Sequence, residues 1–166
     1  MIARAALFLF LLTTFGCGTT YPTISSDRSI ERKYSKILQI SKEDIINIKL
    51  YAFIDEWYGT PYKYGGKNKK GLDCSGFTSL LCKEVFGKEV SGSSASIFNH
   101  CRPVSKKELQ EGDLVFFKID SKVVSHVGVY LQNNKFVHAT TKAGVMINDL
   151  NEEYYKKYFE GAGRTN

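Results

Sequence analysis

The chain has 166 residues, of which 43% are hydrophobic and 13% aromatic, so it is long and apolar enough for one globular domain and is not a disordered polymer. The formal net charge is +6, but the lysines occur in short scattered runs, and no segment matches a nucleic-acid-binding module. A solvated surface accounts for this charge. A mild attraction to a polyanionic wall polymer or to anionic lipid is the alternative.

The first 16 residues have the pattern of a signal peptide. Arg4 is their single charge, and the apolar run over residues 5–12 is too short to span a bilayer. Cys17 follows Gly16, as the acylated cysteine of a bacterial lipoprotein follows a small residue. We therefore expect cleavage after residue 16 and lipid, including palmitate, on Cys17. An ordinary signal peptide, which leaves Cys17 without a role and the protein secreted, is the alternative.

Residues 17–40 are predicted to be a flexible tether between the lipid and a domain. The segment from Thr19 to Ile40 is polar, rich in serine and threonine, and only weakly periodic. The folded domain is accordingly predicted to span residues 41–166, and the anchor is expected to hold it on the outer membrane, facing the periplasm.

Helical patterns fill the first half of this domain. Each predicted helix begins at a polar capping residue, and Asp73 and Gly87 are the expected N-cap and C-terminal stop of the second. The predicted helices are residues 41–58, 73–86, 93–100 and, as a single turn, 105–108.

After Gly112 the pattern changes to short alternating strands. The predicted strands are residues 113–118, 123–131, 135–139 and 145–149, followed by a terminal helix over 151–159. Asn133-Asn134 is a predicted turn, which sets His138 opposite about residue 129 and His126 opposite about residue 141. Helices followed by an antiparallel meander indicate the α+β class.

Residues 73–77, Asp-Cys-Ser-Gly-Phe, place a cysteine at the start of a buried helix. Helix N-termini favour a thiolate over a thiol, so Cys74 is a candidate nucleophile. His126 and His138 lie on neighbouring predicted strands and are a candidate base and orienter. The alternative is that Cys74 is a small buried apolar residue and that both histidines are structural.

The other cysteines have no predicted chemistry. Cys82 is expected to be a buried inert thiol, and a disulfide between Cys82 and Cys101 in an oxidising compartment is the alternative. The chain contains neither a CxxC nor an HExxH motif, so we expect no metal and no cofactor.

Six ordered segments together resemble the NlpC peptidase family, the bacterial cell-wall endopeptidases that include the p-sixty type. The segments are Gly59–Gly66, Gly71–Phe77, Leu109–Phe117, Ser125–Tyr130, Phe136–Ala139 and Tyr155–Ala162. The resemblance implies a circularly rearranged papain-like cysteine peptidase fold, with helices packed on an antiparallel sheet and residues 155–162 as a closing helix.

The same resemblance implies a role for each matching residue. Cys74 is the implied nucleophile, His126 the general base and later acid, and His138 the polar third member. The hydroxyl of Tyr62 is implied to help hold the oxyanion.

Asp73, Ser75 and Ser93 are implied to line the pocket for the amine and acyl portion of a stem peptide. Helix capping alone is the alternative role for Asp73. Related enzymes often have arginine and glutamine where this chain has Gly92 and Ile97, so the resemblance does not specify the precise substrate contacts, although it does specify the triad.

The activity implied is hydrolysis of an amide bond in murein stem peptides through a thioacyl-enzyme. The bond is D-γ-glutamyl-diaminopimelate or a cross-link between stems. The implied enzyme is a monomer whose partners are stem peptides and, through its anchor, a lipid membrane. An amidase or acyltransferase on the same scaffold and a non-catalytic wall-binding lipoprotein are the alternatives.

Overall fold

A computed structural model of the chain describes residues 24–165. The predicted signal peptide and Cys17 lie outside the described residues. The helices are α1 (Ile24–Leu38), α2 (Ile48–Trp57), α3 (Cys74–Phe86), α4 (Ser94–His100) and α5 (Glu153–Tyr158), with single 3-10 turns at Lys42–Asp44 and Lys106–Glu108. The strands are β1 (Lys67–Asn68), β2 (Gly71–Leu72), β3 (Arg102–Val104), β4 (Leu114–Phe117), β5 (His126–Tyr130), β6 (Lys135–Thr140), β7 (Gly144–Asp149) and β8 (Phe159–Arg164).

The architecture is a helical layer on a six-stranded antiparallel sheet. The strand order is β3-β8-β4-β5-β6-β7, and α3 packs against β5 and β6. This arrangement confirms the predicted α+β class. No helix within residues 24–165 combines the length and hydrophobicity that crossing a bilayer requires.

Period-two alternation in β4 divides the core between the two faces of the sheet. Leu114 and Phe116 pack with the helices, whereas Val115 and Phe117 pack against a smaller cluster on the opposite face that includes Tyr155 of α5. Both faces are therefore covered, which explains why all four residues of β4 are buried.

The prediction of a tether over residues 17–40 is wrong for its second half. α1 packs on α2 through fully buried Tyr34 and Leu38, and the Tyr34 and Tyr51 rings lie 4.7 Å apart. The Tyr34 hydroxyl also donates a hydrogen bond to Asp55, at 2.8 Å. The folded unit thus begins upstream of residue 41.

The helix predicted over residues 41–58 is divided in two. Ser41 precedes only the 3-10 turn, and its side chain does not cap it. The side chain of Asn47 instead accepts a hydrogen bond from the Leu50 backbone N–H and so begins α2.

The closing helix implied for residues 155–162 is also corrected. α5 ends at Tyr158, and the chain continues as β8, which inserts between β3 and β4. Arg164 at the end of β8 donates to both carboxylate oxygens of buried Asp113, at 2.6 and 2.8 Å. This two-point ion pair fixes the strand in the sheet, which a continued helix would not allow.

The β5–β6 hairpin brings the two histidines together. Val129 pairs with Val137 and Tyr130 with Phe136. This register differs by one residue from the predicted one, in which His138 lies opposite residue 129. A Cβ on Gly128 would lie 2.7 Å from the Phe136 ring and 3.2 Å from the His138 Cβ. Gly128 is therefore needed for close approach of the strands, as sequence pattern predicts for a glycine within a strand.

Candidate active site

Cys74 is the first residue of α3, and Asp73 is the N-cap. One Asp73 carboxylate oxygen accepts hydrogen bonds from the Gly76 backbone N–H at 2.7 Å and from the Ser75 hydroxyl at 2.9 Å. The other accepts from the Gly65 N–H at 2.8 Å. The capping prediction for Asp73 is confirmed, and the same side chain ties the glycine-rich loop to the helix start.

The Cys74 thiol is buried against α4 and β5. Its sulfur lies 3.5 Å from the Ser94 hydroxyl, and the backbone N–H groups of Val127 and Ser75 are also directed at it. Burial raises the pKa of the Cys74 thiol, and these hydrogen bonds lower it by less. Burial therefore opposes the thiolate that the helix N-terminus favours, and whether Cys74 is a nucleophile stays a prediction.

His126 and His138 form a direct hydrogen bond. His126 Nε2 and His138 Nδ1 are 2.6 Å apart, with His126 half-buried at the start of β5 and His138 fully buried in β6. Burial lowers the pKa of both imidazoles below the ordinary histidine value, and each ring is therefore neutral near pH 7. Because Nε2 of His126 contacts His138, Nδ1 is the ring nitrogen of His126 that this contact leaves free.

Two residues beyond the predicted set continue this hydrogen bonding. His138 Nε2 lies 2.9 Å from Asn148 Oδ1, and Asn148 Nδ2 donates to both carboxylate oxygens of Glu152, at 3.0 and 3.1 Å. Sequence reasoning missed both because they depend on strand register. His138 pairs with Met146, so Asn148 is its diagonal neighbour on the same face of the sheet.

The loop that carries Tyr62 is fixed from two sides. Tyr62 forms an isolated parallel bridge with Leu72, two residues before Cys74, and its side chain is half-buried. Burial, and after it the charge of a Cys74 thiolate, raises the pKa of the Tyr62 hydroxyl. On the other side the loop packs directly on Gly144 of β7. A Cβ at this position would lie 2.1 Å from the Thr60 carbonyl oxygen, and the φ of +69° also favours glycine. The hydroxyl of Tyr62 therefore belongs to the neighbourhood of Cys74.

Ser93 and Ser94 have different positions. The exposed Ser93 side chain accepts a hydrogen bond from the Ser96 N–H at 3.2 Å and so begins α4. Ser94, which sequence analysis did not select, is buried against Cys74. The serine pair itself was visible in the sequence, but only the fold decides which member reaches the thiol.

The remaining cysteines lie apart from this site. Within residues 24–165, all the cysteines have free thiols, with Cys82 buried and Cys101 half-buried. Burial raises the pKa of Cys82 to about 12, in agreement with the inert thiol expected there. A cavity of about 510 Å³ beside α4 is lined by Cys101, His100 and Ile97 among others, but not by Cys74 or either strand histidine. Among the described residues, no cluster of three histidine, cysteine or carboxylate side chains is arranged to hold a metal.

Comparison with known proteins assigns the family. The model of the NlpC/P60 family matches residues 59–164, which include Tyr62, Cys74 and both strand histidines. The chain belongs to the NlpC/P60 family. The match confirms the resemblance drawn from the sequence, and it begins downstream of α1 and α2.

Two curated relatives and one solved structure illustrate the range of similarity. The murein DD-endopeptidase MepS/murein LD-carboxypeptidase of Escherichia coli is 44% identical over 109 residues, which are 66% of this chain and 57% of that protein. A probable endopeptidase of Haemophilus influenzae is 34% identical over 160 residues, 96% of this chain and 92% of that protein. The crystal structure of an NlpC/P60 family protein from Bacillus cereus superposes with a TM-score of 0.65 at 32% identity, covering 70% of this chain and 39% of the other.

The overlap with these relatives is uneven. The chain spans about three fifths of the length of some curated relatives and nearly all of another. Family and fold are shared across the matched region, whereas the activity of a longer relative belongs to its whole chain.

Proposed function

We propose that this NlpC/P60 protein is a peptidoglycan hydrolase, a cysteine endopeptidase that cleaves amide bonds in murein stem peptides. The observation that carries the proposal is the buried Cys74 thiol at the start of α3, beside the strand that begins with the hydrogen-bonded His126–His138 pair. Relatives named as murein and peptidoglycan endopeptidases support the substrate class.

The proposed reaction begins with an uncharged Cys74 thiol and an uncharged His126 imidazole. Cys74 transfers its proton to His126 as the sulfur attacks the amide carbonyl, since both groups are uncharged near pH 7. The tetrahedral intermediate collapses to a thioacyl-enzyme as the amine leaves with the proton returned by His126. Water, deprotonated by His126, then hydrolyses the thioester and restores the thiol. His138 holds the ring of His126 throughout.

The groups around Cys74 are proposed to bind the reacting peptide. The Tyr62 hydroxyl donates to the developing oxyanion, and Asp73, Ser75 and Ser93 contact the amine and acyl portion of the stem. Asp73 has structural hydrogen bonds as well, so its substitution should also weaken the start of α3.

Mass spectrometry of products from defined muropeptides tests the proposed reaction. An endopeptidase releases fragments cut at D-γ-glutamyl-diaminopimelate or at a cross-link between stems, whereas an amidase that detaches whole stems from the glycan gives different masses. In ¹⁸O-enriched water, a hydrolase incorporates one ¹⁸O into the new carboxyl group, and an acyltransferase incorporates none. Binding to wall without any fragment would instead favour the non-catalytic alternative.

Replacing Tyr62 with phenylalanine should slow hydrolysis by about 10²-fold, the loss typical of one oxyanion donor. The phenyl ring keeps the packing of the loop, so the loss should fall on kcat and leave the melting temperature within a few degrees. Tyr58→Phe is the matched control, because Tyr58 is exposed after α2. A Tyr62→Phe enzyme with the wild-type kcat would contradict the oxyanion role.

We further propose that Cys17 is lipidated and that the protein acts as a monomer anchored in the bacterial outer membrane, facing the periplasm. The Gly16-Cys17 junction after a short apolar run supports lipidation. Cells grown with radioactive palmitate should label the wild-type protein and not a Cys17→Ala variant. Equal label on the two proteins, or none on the wild type, would indicate an ordinary signal peptide and secretion.

A further inference from the structure

A continuous chain of side-chain hydrogen bonds leads from the candidate base to the surface. It joins His126 to His138, His138 to Asn148 and Asn148 to Glu152, with separations between 2.6 and 3.1 Å. We refer to these four residues as the polar chain. It ends at the exposed start of α5, where Glu152 is the residue before the helix.

Glu152 fixes the direction of every hydrogen bond in the polar chain. A carboxylate accepts hydrogen bonds and donates none, so Asn148 must present its NH₂ group to Glu152. The carbonyl oxygen of Asn148 then faces His138, which must donate its Nε2–H to that oxygen. The Tyr155 hydroxyl lies 3.4 Å from both Asn148 Oδ1 and His138 Nε2, so in this arrangement it donates to the same oxygen and faces the Nε2–H with its own oxygen.

The direction at His138 determines the tautomer of His126. A neutral His138 with its proton on Nε2 has a lone pair on Nδ1, so His126 donates its Nε2–H across the 2.6 Å contact. Nδ1 of His126 is then unprotonated and able to take a proton. In the reverse arrangement His126 would have a proton on Nδ1, and the Asn148 oxygen would face the Glu152 carboxylate.

We propose that Asn148 and Glu152 are positioning residues that set the tautomers of both histidines, so that His126 presents a basic Nδ1 to Cys74. This inference rests on the proposed function, in which His126 is the base for Cys74. Neither residue is proposed to touch substrate, because both act through His138. Within serine hydrolases, a base held in the wrong tautomer loses about 10⁴-fold in rate.

A purely structural role makes a different prediction. Glu152 also accepts a hydrogen bond from the Asp149 N–H at 2.8 Å, which stabilises the turn before α5. If this were its only role, substitution would lower the melting temperature and leave both imidazole tautomers unchanged. The tautomers therefore separate the two roles.

Three variants test the direction of the polar chain. Glu152→Gln keeps the shape of the side chain, but the new amide can donate as well as accept hydrogen bonds. The Asn148 amide is then no longer held in one orientation. The double variant Asn148→Asp with Glu152→Gln restores a carboxylate one position closer, where it accepts from His138 and from the new amide. Glu153→Gln is the matched control, since Glu153 is the exposed neighbour outside the polar chain.

The readouts are the ring ¹⁵N shifts of histidine, from long-range ¹H–¹⁵N spectra, and kcat/KM on a muropeptide. In the wild type, both rings should carry the proton on Nε2. Glu152→Gln should show a mixture of tautomers and a loss of about tenfold in kcat/KM, the size expected when a charge-assisted hydrogen bond becomes a neutral one. The double variant should regain the Nε2–H tautomers and most of the lost rate.

Several results would overturn the inference. The wild-type spectrum alone is sufficient, because Nδ1–H on either ring contradicts the proposed direction whatever the variants do. Wild-type tautomers in Glu152→Gln, or a double variant no better than Glu152→Gln, would do the same. Failure of the proposed function is recognised separately, because the spectra do not depend on activity, whereas a Cys74→Ala variant that still cleaves wall would refute the nucleophile and leave the tautomers as measured.

Discussion

Replacing Cys74 with alanine is expected to reduce the release of muropeptide fragments from purified wall by about 10⁵–10⁶-fold, as loss of the nucleophile does in serine hydrolases. The reason is chemical, because no other described thiol lies beside His126 and His138. Cys82 is buried on α3 two turns further on, and Cys101 is at the end of α4. Cys74→Ser should be inactive as well, since a hydroxyl is harder to deprotonate than a thiol.

Cys101→Ala is the matched control for loss of a thiol, because it removes a half-buried cysteine outside the site. It should keep wild-type release of fragments. Cys74→Ala removes one buried sulfur and should stay folded, which a melting curve checks. A folded Cys74→Ala variant that still releases fragments would refute the cysteine mechanism.

The raised pKa of Cys74 changes what thiol-reactive probes should report. A thiolate stabilised by a helix N-terminus would react rapidly at neutral pH, whereas in the proposed mechanism the buried thiol reacts mainly when His126 takes its proton. The helix N-terminus lowers the pKa of the Cys74 thiol and burial raises it, but only the helix position was evident from the sequence. Burial depends on contacts with Ser94 and β5, which are distant in the chain.

Local signals were sufficient for the elements that position the site. Asp73 caps α3 and Gly87, with φ of +67°, ends it, as predicted. Alternation predicted β5 and β6, and the Asn133-Asn134 turn predicted their pairing, because both turn residues tolerate positive φ. Cys74, His126 and His138 could therefore be placed on the right elements from sequence.

Elements that depend on tertiary partners were not predictable in this way. The apolar residues Ile30, Tyr34 and Leu38 have helical spacing within a polar segment, and only packing on α2 makes them a buried face. The sequence of β8 was predicted to belong to a helix in part, and it forms a strand because it pairs with β3 on one side and β4 on the other. Asn148 and Glu152 needed the β6–β7 register, which no local pattern specifies.

Acidification should destabilise the fold through the paired histidines of β5 and β6. Burial lowers the pKa of His126 and His138 in the folded state, whereas in the unfolded chain they take up protons near the ordinary pKa of about 6.5. Below that pH the unfolded chain binds more protons than the folded one. The stabilisation is therefore fully present above about pH 6.5 and is lost as the pH falls toward the lowered pKa values, by about 1.4 kcal/mol per pH unit for each histidine.

Equilibrium unfolding in urea between pH 7 and 4.5 measures this dependence, and His138→Gln isolates one histidine. The free energy of unfolding of His138→Gln should be lower than that of the wild type at pH 7 but should fall less steeply on acidification. The difference between the two slopes should correspond to the uptake of about one proton. His100→Gln, which removes an exposed imidazole on α4, is the matched control. Carboxylates contribute acid dependence in all three proteins, so only the difference in slope is diagnostic. An unchanged slope in His138→Gln would mean that His138 has the same pKa in the folded and unfolded states, which would contradict the effect assigned to its burial.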